Sequence, residues 1–253
     1  MSNPEQDGEG MYPHTQAPPK ELQELVKQCY SIPRFTRIYR EGIFDDDTGS
    51  HIARCVNRAD KVDINLTDKE TVKLILWVHD LPEIEISDYS VIQKIGDREL
   101  NNKLEISELE VAKKIIPDKF FDYFVDFKNA EDLLSGKTPK KIPSKHALIA
   151  KMIDSIDGNE TFHQQLTDWI VSERFKPEDL PQQGALEYSF DHCVKIHKLI
   201  AKSPEIFVDF VFLAKNMLSD EISSIAKYWG RVENAIIPDT IKKGFVTVED
   251  IKL

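Results

Sequence analysis

Apolar positions along the chain recur mostly at helical spacing. The segment SHIARCVNRA, residues 50–59, places four such positions on one helical face: Ile52, Cys55, Val56 and Ala59. The segment LTDKETVKLILWVHD, residues 66–80, contains the unbroken apolar run 74–78. That run alone is compatible with a buried strand, but the segment length and the capping-box pattern of Thr67 and Glu70 favour a buried helix that ends near Asp80.

Further helices follow downstream. ISELEVAKKII predicts a helix that opens with the capping-box pair Ser107 and Glu110 and is limited by Pro117, and the aromatic-rich PDKFFDYFVDF predicts the next one. SKHALIAKMIDSIDG predicts a helix with Ser144 as N-cap and Gly158 as stop signal. Two more helices are predicted in EYSFDHCVKIHKLIAK and SPEIFVDFVFLAKNML. Because convincing alternating strands are absent, the pattern predicts an all-α protein.

Composition divides the chain into three parts. Residues 1–20 are polar and rich in Pro and Gly, which predicts a disordered N-terminal tail without the apolar stretch of a secretory signal. Residues 21–184 form the predicted core, and residues 185–253 form a predicted helical C-terminal extension packed on that core. The later apolar runs are too short to span a bilayer. Three widely spaced cysteines fit a reducing compartment, so we expect a cytoplasmic protein.

The charge balance restricts the class of partner. Lys and Arg number 33 against 44 Asp and Glu, which gives a formal net charge of −11. Proteins that bind nucleic acid or anionic membranes concentrate positive charge, so neither partner is expected. A small phosphorylated substrate needs only a few local cations and stays compatible with this charge.

Four residues on or at the ends of apolar predicted helices are candidate metal ligands: His51, His79, Asp80 and Asp154. Imidazole nitrogen and carboxylate oxygen suit Mn²⁺, Co²⁺, Fe²⁺ or Zn²⁺. Singly, each is more often a core histidine, a helix cap or a salt-bridge partner. Their distribution over three predicted helices is what suggests a shared site.

The order His51, His79–Asp80, Asp154 resembles the HD-domain metal-dependent phosphohydrolases over about residues 30–165. The contexts match as well: SH before an amphipathic helix, an apolar run into HD, and the K-x-x-D segment AKMID. The 5′-deoxyribonucleotidase branch and its HD-domain-containing relatives are the most similar part of that superfamily. The resemblance implies an HD-domain helical bundle over 21–184 that binds a divalent metal ion, with Mn, Co, Fe, Zn and Mg left open.

The same branch carries a Glu three residues after HD and an Asp five residues further on. HDLPEIEISD supplies Glu83 and Asp88 at those positions. The resemblance implies that Glu83 transfers a proton and that Asp80 takes part in catalysis as well as metal binding. Asp88 would orient the substrate.

An Arg followed by an aromatic residue precedes the first His in this branch. SIPRFTRIYR offers Arg34 and Phe35, with Arg37 and Arg40 as alternatives. A guanidinium fork matches phosphate geometry, so the resemblance implies that Arg34 binds the phosphate. Phe35 would pack on the sugar or base.

The resemblance implies a 5′-nucleotidase that hydrolyses (deoxy)ribonucleoside 5′-monophosphates to nucleoside and phosphate with a metal-activated water. The alternatives are a dNTP triphosphohydrolase, a cyclic-nucleotide phosphodiesterase, or a non-catalytic binding protein on an HD scaffold. Alarmone hydrolases usually carry HD-x-x-E-D, and Ile84 replaces that last Asp here. The implied partners are a small phosphorylated nucleotide and, in a homodimer, a second copy of the chain.

Overall fold

The structure is a computed structural model that describes residues 17–34, 46–62, 64–87, 98–134 and 137–171. Within these ranges the chain forms a 3₁₀ turn, Lys20–Leu22, and seven helices: α1 Gln23–Cys29, α2 Thr48–Lys61, α3 Leu66–Val78, α4 Glu83–Ile86, α5 Arg98–Ile115, α6 Asp118–Leu134 and α7 Lys145–Val171. The described ranges contain no strand, only an isolated antiparallel bridge between Pro33 and Asp47. The all-α prediction is therefore confirmed for this part of the chain.

Helix α2 begins after an N-cap aspartate, whose side chain supplies a hydrogen-bond acceptor for a backbone N–H of the first turn. The Asp47 carboxylate accepts a hydrogen bond from the Ser50 backbone N–H at 2.7 Å. The predicted apolar face is confirmed, since its four members are fully buried: Ile52, Cys55, Val56 and Ala59. This face turns α2 toward the core and carries His51 inward with it.

Helix α3 begins two residues earlier than its predicted capping box implied. Asn65 caps it by accepting from the Asp68 N–H at 2.9 Å, so Thr67 lies in the first turn and the Thr67–Glu70 prediction is wrong. Asparagine is among the strongest N-caps, and Asn65 also donates to the Asp68 carboxylate at 2.8 Å. The helix ends at Val78 with His79 as its C-cap, close to the predicted end.

Two other helix limits differ from prediction. Helix α5 starts at Arg98, so Ser107 lies inside it rather than at its start; the residues before Ser107 are mostly good helix formers. Helix α7 starts after Ser144, whose hydroxyl accepts from the Ala147 N–H at 3.1 Å, as predicted. It continues through Gly158, because tertiary packing offsets the roughly 1 kcal/mol cost of a mid-helix glycine.

Helix α3 lies at the centre and packs against α2, α6 and α7, while α7 also packs against α2 and α6. Its buried run of Ile75, Leu76, Trp77 and Val78 meets aromatic residues of α6 and aliphatic residues of α7, among them Phe124, Phe127, Met152 and Ile153. Burial of each such large side chain contributes about 1.5–3 kcal/mol.

No helix in the described ranges has the length and apolar character needed to cross a membrane. The predicted helices beyond residue 171 and the predicted tail up to residue 16 lie outside the described residues.

Candidate metal centre

Three helices bring the four predicted ligands to one place. His51 lies in the second turn of α2 and is fully buried, and His79 caps α3 with 1% exposure. Asp80 follows in the turn after α3, and Asp154 lies on α7. The two carboxylates are 18% and 15% exposed, so the histidines face the core and the acids face the accessible side.

The inward-facing atoms of these residues are spaced like ligands of one cation. His51 Nε2 lies 3.0 Å from Asp154 Oδ1 and 3.5 Å from Asp80 Oδ2. His79 Nε2 lies 3.1 Å from Asp80 Oδ2 and 3.6 Å from Asp154 Oδ1. A tetrahedral ion with bonds of ~2.1 Å has ligand atoms ~3.4 Å apart, and an octahedral one has neighbours ~3.0 Å apart. The observed separations span these values, so the donor set fits a divalent cation.

The outer nitrogen of each imidazole has its own partner. His79 Nδ1 donates to the Leu76 carbonyl at 2.8 Å, and a carbonyl can only accept. His51 Nδ1 lies 2.9 Å from a carboxylate oxygen of Asp157. With both protons on Nδ1, the two Nε2 lone pairs face each other across 3.3 Å. That arrangement is repulsive unless a cation or an additional proton lies between them.

The charges around the cluster favour a positive species at its centre. Burial disfavours the charged form of His79, yet Asp80 and Asp154 outweigh it and raise the pKa of His79 to about 10. Burial raises the pKa of Asp80, but the neighbouring His79 and His51 lower it to about 2. The pKa of Asp154 is held well below its usual range, against burial, chiefly by Lys151. Both carboxylates are therefore anionic near neutral pH.

A fifth side chain, which was not predicted as a ligand, borders the cluster. Cys55 lies one turn after His51, with its sulfur 3.7 Å from both ring nitrogens. His51, Cys55, His79 and Asp154 offer ligand atoms within 4.8 Å of one another, so this set could hold a metal ion. Burial raises the pKa of the Cys55 thiol well above its usual value, and nearby acids add to this. Since thiolate is the binding form, the anionic Asp80 is the better fourth ligand.

Arg34 lies beside the cluster, with 13% of its side chain exposed. Its Nη1 is 3.8 Å from Asp80 Oδ2, and its Nε is 3.9 Å from Asp46 Oδ2. Its backbone N–H donates to the Asp46 carbonyl at 2.9 Å, which fixes the chain at this point. The structure thus brings the predicted phosphate ligand beside a predicted metal ligand. Phe35 and Asp88, the other two residues predicted to bind substrate, lie outside the described residues, as do Arg37 and Arg40.

Glu83 is the first residue of α4, in the turn that follows Asp80. Its backbone N–H donates to the Asp80 carbonyl at 3.0 Å. Its carboxylate accepts a hydrogen bond from the Thr48 hydroxyl at 2.8 Å, and Thr48 lies one turn before His51 on α2. Glu83 therefore has a fixed side chain at the edge of the cluster.

Sequence reasoning missed the charged groups behind the ligands. Asp157 is fully buried and accepts from His51, Arg54 and Arg58. Although burial opposes it, these donors hold its pKa well below the usual range. The available signal was spacing: Asp157 follows Asp154 by three residues, and the two arginines follow His51 by three and seven, which places each set on one helical face.

Comparisons of this chain with protein-family models, with curated proteins and with solved structures find no match.

Proposed function

We propose that this chain is a divalent-metal-dependent phosphohydrolase of the HD-domain type. Its proposed substrates are (deoxy)ribonucleoside 5′-monophosphates, which it would hydrolyse to nucleoside and phosphate. The observation that carries the proposal is the meeting of the His51 and His79 Nε2 atoms 3.3 Å apart, between the carboxylates of Asp80 and Asp154. Both imidazoles are held through Nδ1, as is usual for histidines that bind metal ions.

The donor set favours some cations over others. Two imidazoles and two carboxylates suit Mn²⁺, Co²⁺, Fe²⁺ or Zn²⁺, whereas Mg²⁺ prefers oxygen ligands and retained waters. A cation bound there supplies charge that lowers the pKa of a bound water and offsets negative charge on the phosphoryl group. The proposed partner is a small phosphorylated nucleotide, which the acidic composition permits, and the sparse cysteines support a cytoplasmic enzyme. A homodimer is part of the proposal through the family resemblance alone.

Substrate would approach from the side of the two partly exposed carboxylates. Arg34 lies on this side, with a guanidinium nitrogen 3.8 Å from Asp80. Phosphate oxygens near the metal would come within reach of that guanidinium, whose planar donors match them. We therefore assign phosphate binding to Arg34.

Proton transfer is assigned to Glu83. The Thr48 hydroxyl holds one Glu83 oxygen at 2.8 Å, which orients the carboxyl group rather than leaving it free to rotate in solvent. A carboxyl group in this position can take a proton from the attacking water or give one to the leaving oxygen. Such a group typically contributes 10²- to 10⁴-fold to rate, that is ~3–5 kcal/mol.

The test is turnover by metal-stripped protein to which Mn²⁺ or Co²⁺ is returned. Phosphate release is followed with a panel of ribo- and deoxyribonucleoside monophosphates, triphosphates and cyclic nucleotides. The proposal expects phosphate from monophosphates only when metal is present. Release of triphosphate, or opening of cyclic nucleotides, would replace the substrate assignment, and metal binding without any turnover would leave a binding protein.

Matched variants separate catalysis from fold. Glu83→Gln removes the proposed proton-transfer group, and Glu85→Gln changes a neighbour in α4 that pairs with Lys114 at 2.7 Å. We expect kcat to fall at least a hundredfold for Glu83→Gln, with metal affinity retained, and to stay unchanged for Glu85→Gln. Asp80→Ala should abolish both turnover and metal binding. Equal activity of wild type and Asp80→Ala would refute the metal assignment.

A further inference from the structure

Asp157 is a buried charge beside the proposed ligands that has no role in the mechanism above. It lies on α7, one turn after Asp154, and none of its surface is exposed. Its Oδ2 accepts from His51 Nδ1 at 2.9 Å, while Asp154 Oδ1 lies 3.0 Å from His51 Nε2. The imidazole is therefore held between two carboxylates of a single helix, one on each nitrogen.

Two arginines of α2 also donate hydrogen bonds to the Asp157 carboxylate. Arg54 Nε lies 3.0 Å from Oδ2 and 3.3 Å from Oδ1, and Arg58 Nε donates to Oδ1 at 3.1 Å. Arg54 is fixed in turn by two hydrogen bonds to Asp46, at 2.8 and 2.9 Å. All of these donors and His51 lie on one face of α2, so the contact is made by one pair of packed helices.

This environment decides what Asp157 does to His51. A carboxylate accepts hydrogen bonds and donates none, so Asp157 requires a proton on His51 Nδ1. His51 Nε2, which faces Asp154, is then the nitrogen left for a cation. The Arg54 and Arg58 guanidinium groups occupy the remaining lone pairs of the Asp157 carboxylate. A histidine that donates to an anion through one nitrogen is a better metal ligand through the other.

We propose that Asp157 is a positioning residue of the metal centre, which fixes His51 with Nε2 directed at the cation, and that Arg54 and Arg58 hold Asp157 for this role. This inference rests on the proposed function only in that it takes His51 as a metal ligand. The competing explanation is a purely structural ion pair between α2 and α7. The two differ in the metal affinity expected of a folded protein that lacks the Asp157 charge.

The first experiment compares Asp157→Asn with Asp68→Asn. Asp68 is a matched control, because it also accepts from a histidine, His146 at 2.6 Å, and from a lysine, but at the starts of α3 and α7. Co²⁺ is titrated into each metal-free protein. The readouts are the visible absorption spectrum of the bound Co²⁺ and its dissociation constant. We expect Asp157→Asn to bind Co²⁺ 10- to 100-fold more weakly with an altered spectrum, and Asp68→Asn to match wild type.

The second experiment needs no variant, in case Asp157→Asn fails to fold. In Zn²⁺-loaded wild type, ¹⁵N chemical shifts of the histidine rings report which nitrogen carries the proton. We expect a proton on Nδ1 of His51 and zinc on Nε2. Zinc on Nδ1 would overturn the inference, as would wild-type Co²⁺ affinity and spectrum in a folded Asp157→Asn.

The outcomes also separate this inference from the proposed function. Metal binding that depends on Asp157, without turnover of any nucleotide, would refute the phosphohydrolase and retain the positioning role. Metal-dependent turnover of a nucleotide by wild type, together with unchanged Co²⁺ binding in Asp157→Asn, would retain the phosphohydrolase and refute the positioning role. A wild-type protein that binds neither Co²⁺ nor Zn²⁺ would overturn both.

Discussion

Two glycines in helices that carry ligands predict opposite responses to the same substitution. Gly49 is the second residue of α2, and a Cβ atom there would lie 2.6 Å from two ring carbons of Tyr30 and 2.8 Å from its backbone nitrogen. Gly158 lies inside α7, and among the described residues a Cβ there would meet Arg34 Nη2 at 3.7 Å, an ordinary contact. Alanine is therefore destabilising at the first position and tolerated at the second.

The structure sets the size of both effects. Real Cβ contacts do not come below 3.0 Å, so Gly49→Ala must move the two Tyr30 ring carbons, at 2.6 Å, by at least 0.4 Å and the Tyr30 backbone nitrogen, at 2.8 Å, by at least 0.2 Å. Because a backbone atom is involved, rotation of the Tyr30 side chain cannot relieve the clash. Overpacking of this kind costs about 1–3 kcal/mol. Gly158→Ala should instead stabilise the protein by about 0.5–1 kcal/mol, because alanine restricts the unfolded chain and favours a helix.

Thermal denaturation of the metal-free proteins measures both effects. For a chain of this size each kcal/mol shifts Tm by about 2–4 °C, so Gly49→Ala should lower it by about 2–12 °C. Gly158→Ala should raise it by about 1–4 °C. A Gly49→Ala protein as stable as wild type would contradict the described contact between α2 and Tyr30. A destabilised Gly158→Ala protein would contradict the continuous helix through residue 158.

Three further predictions concern metal, backbone strain and pH. Co²⁺ at 100 times its dissociation constant should stabilise wild type by about 2.7 kcal/mol in thermal scans, an effect that chelator reverses and Asp154→Ala lacks. Ser87, at φ 65° and ψ 164°, has a backbone conformation suited to glycine; Ser87→Gly should raise stability by about 1 kcal/mol in urea denaturation, and a loss would refute the strain. Hydrogen bonds from His146 and then Lys145 lower the pKa of Asp68. A depressed carboxyl pKa stabilises the fold fully above the ordinary value of about 4, and this contribution is lost as pH falls from there through the lowered pKa. Asp68→Asn should therefore be less stable than wild type at pH 7 and approach it as pH falls below about 4. A gap in urea stability that does not change with pH would exclude that pair.

Features set by local periodicity could be predicted from the sequence. The buried face of α2 follows from apolar residues at helical spacing, and the burial of α3 follows from its run 74–78. The order of His51, His79–Asp80 and Asp154 pointed to a shared site, and the structure brings their inward-facing atoms together. Each of these inferences needed only the spacing of near neighbours in the chain, or residue types that commonly bind metal ions.

Features that depend on competition between neighbouring caps, or on contacts between residues distant in the chain, could not be predicted from the sequence. Thr67 matched a capping pattern, but Asn65 two residues earlier is the stronger cap and lies at the actual start of α3. Gly158 resembled a stop signal because glycine is common just after a helix end. The helix continues through it because packing against other helices, which no local sequence pattern reveals, supports it. Asp157 was missed because its partner His51 lies 106 residues away, and an aspartate on a helix has no local mark that it is buried.

The origin of the ligands in the chain has a consequence for the order of folding. His51 and His79 are 28 residues apart, whereas 103 residues separate His51 from Asp154. Contacts between distant segments require closure of long loops, and they form after local helices do. The cluster is therefore complete only when α7 has docked onto α2 and α3. We therefore expect a cation that binds only the complete cluster to slow unfolding more than it changes the folding rate.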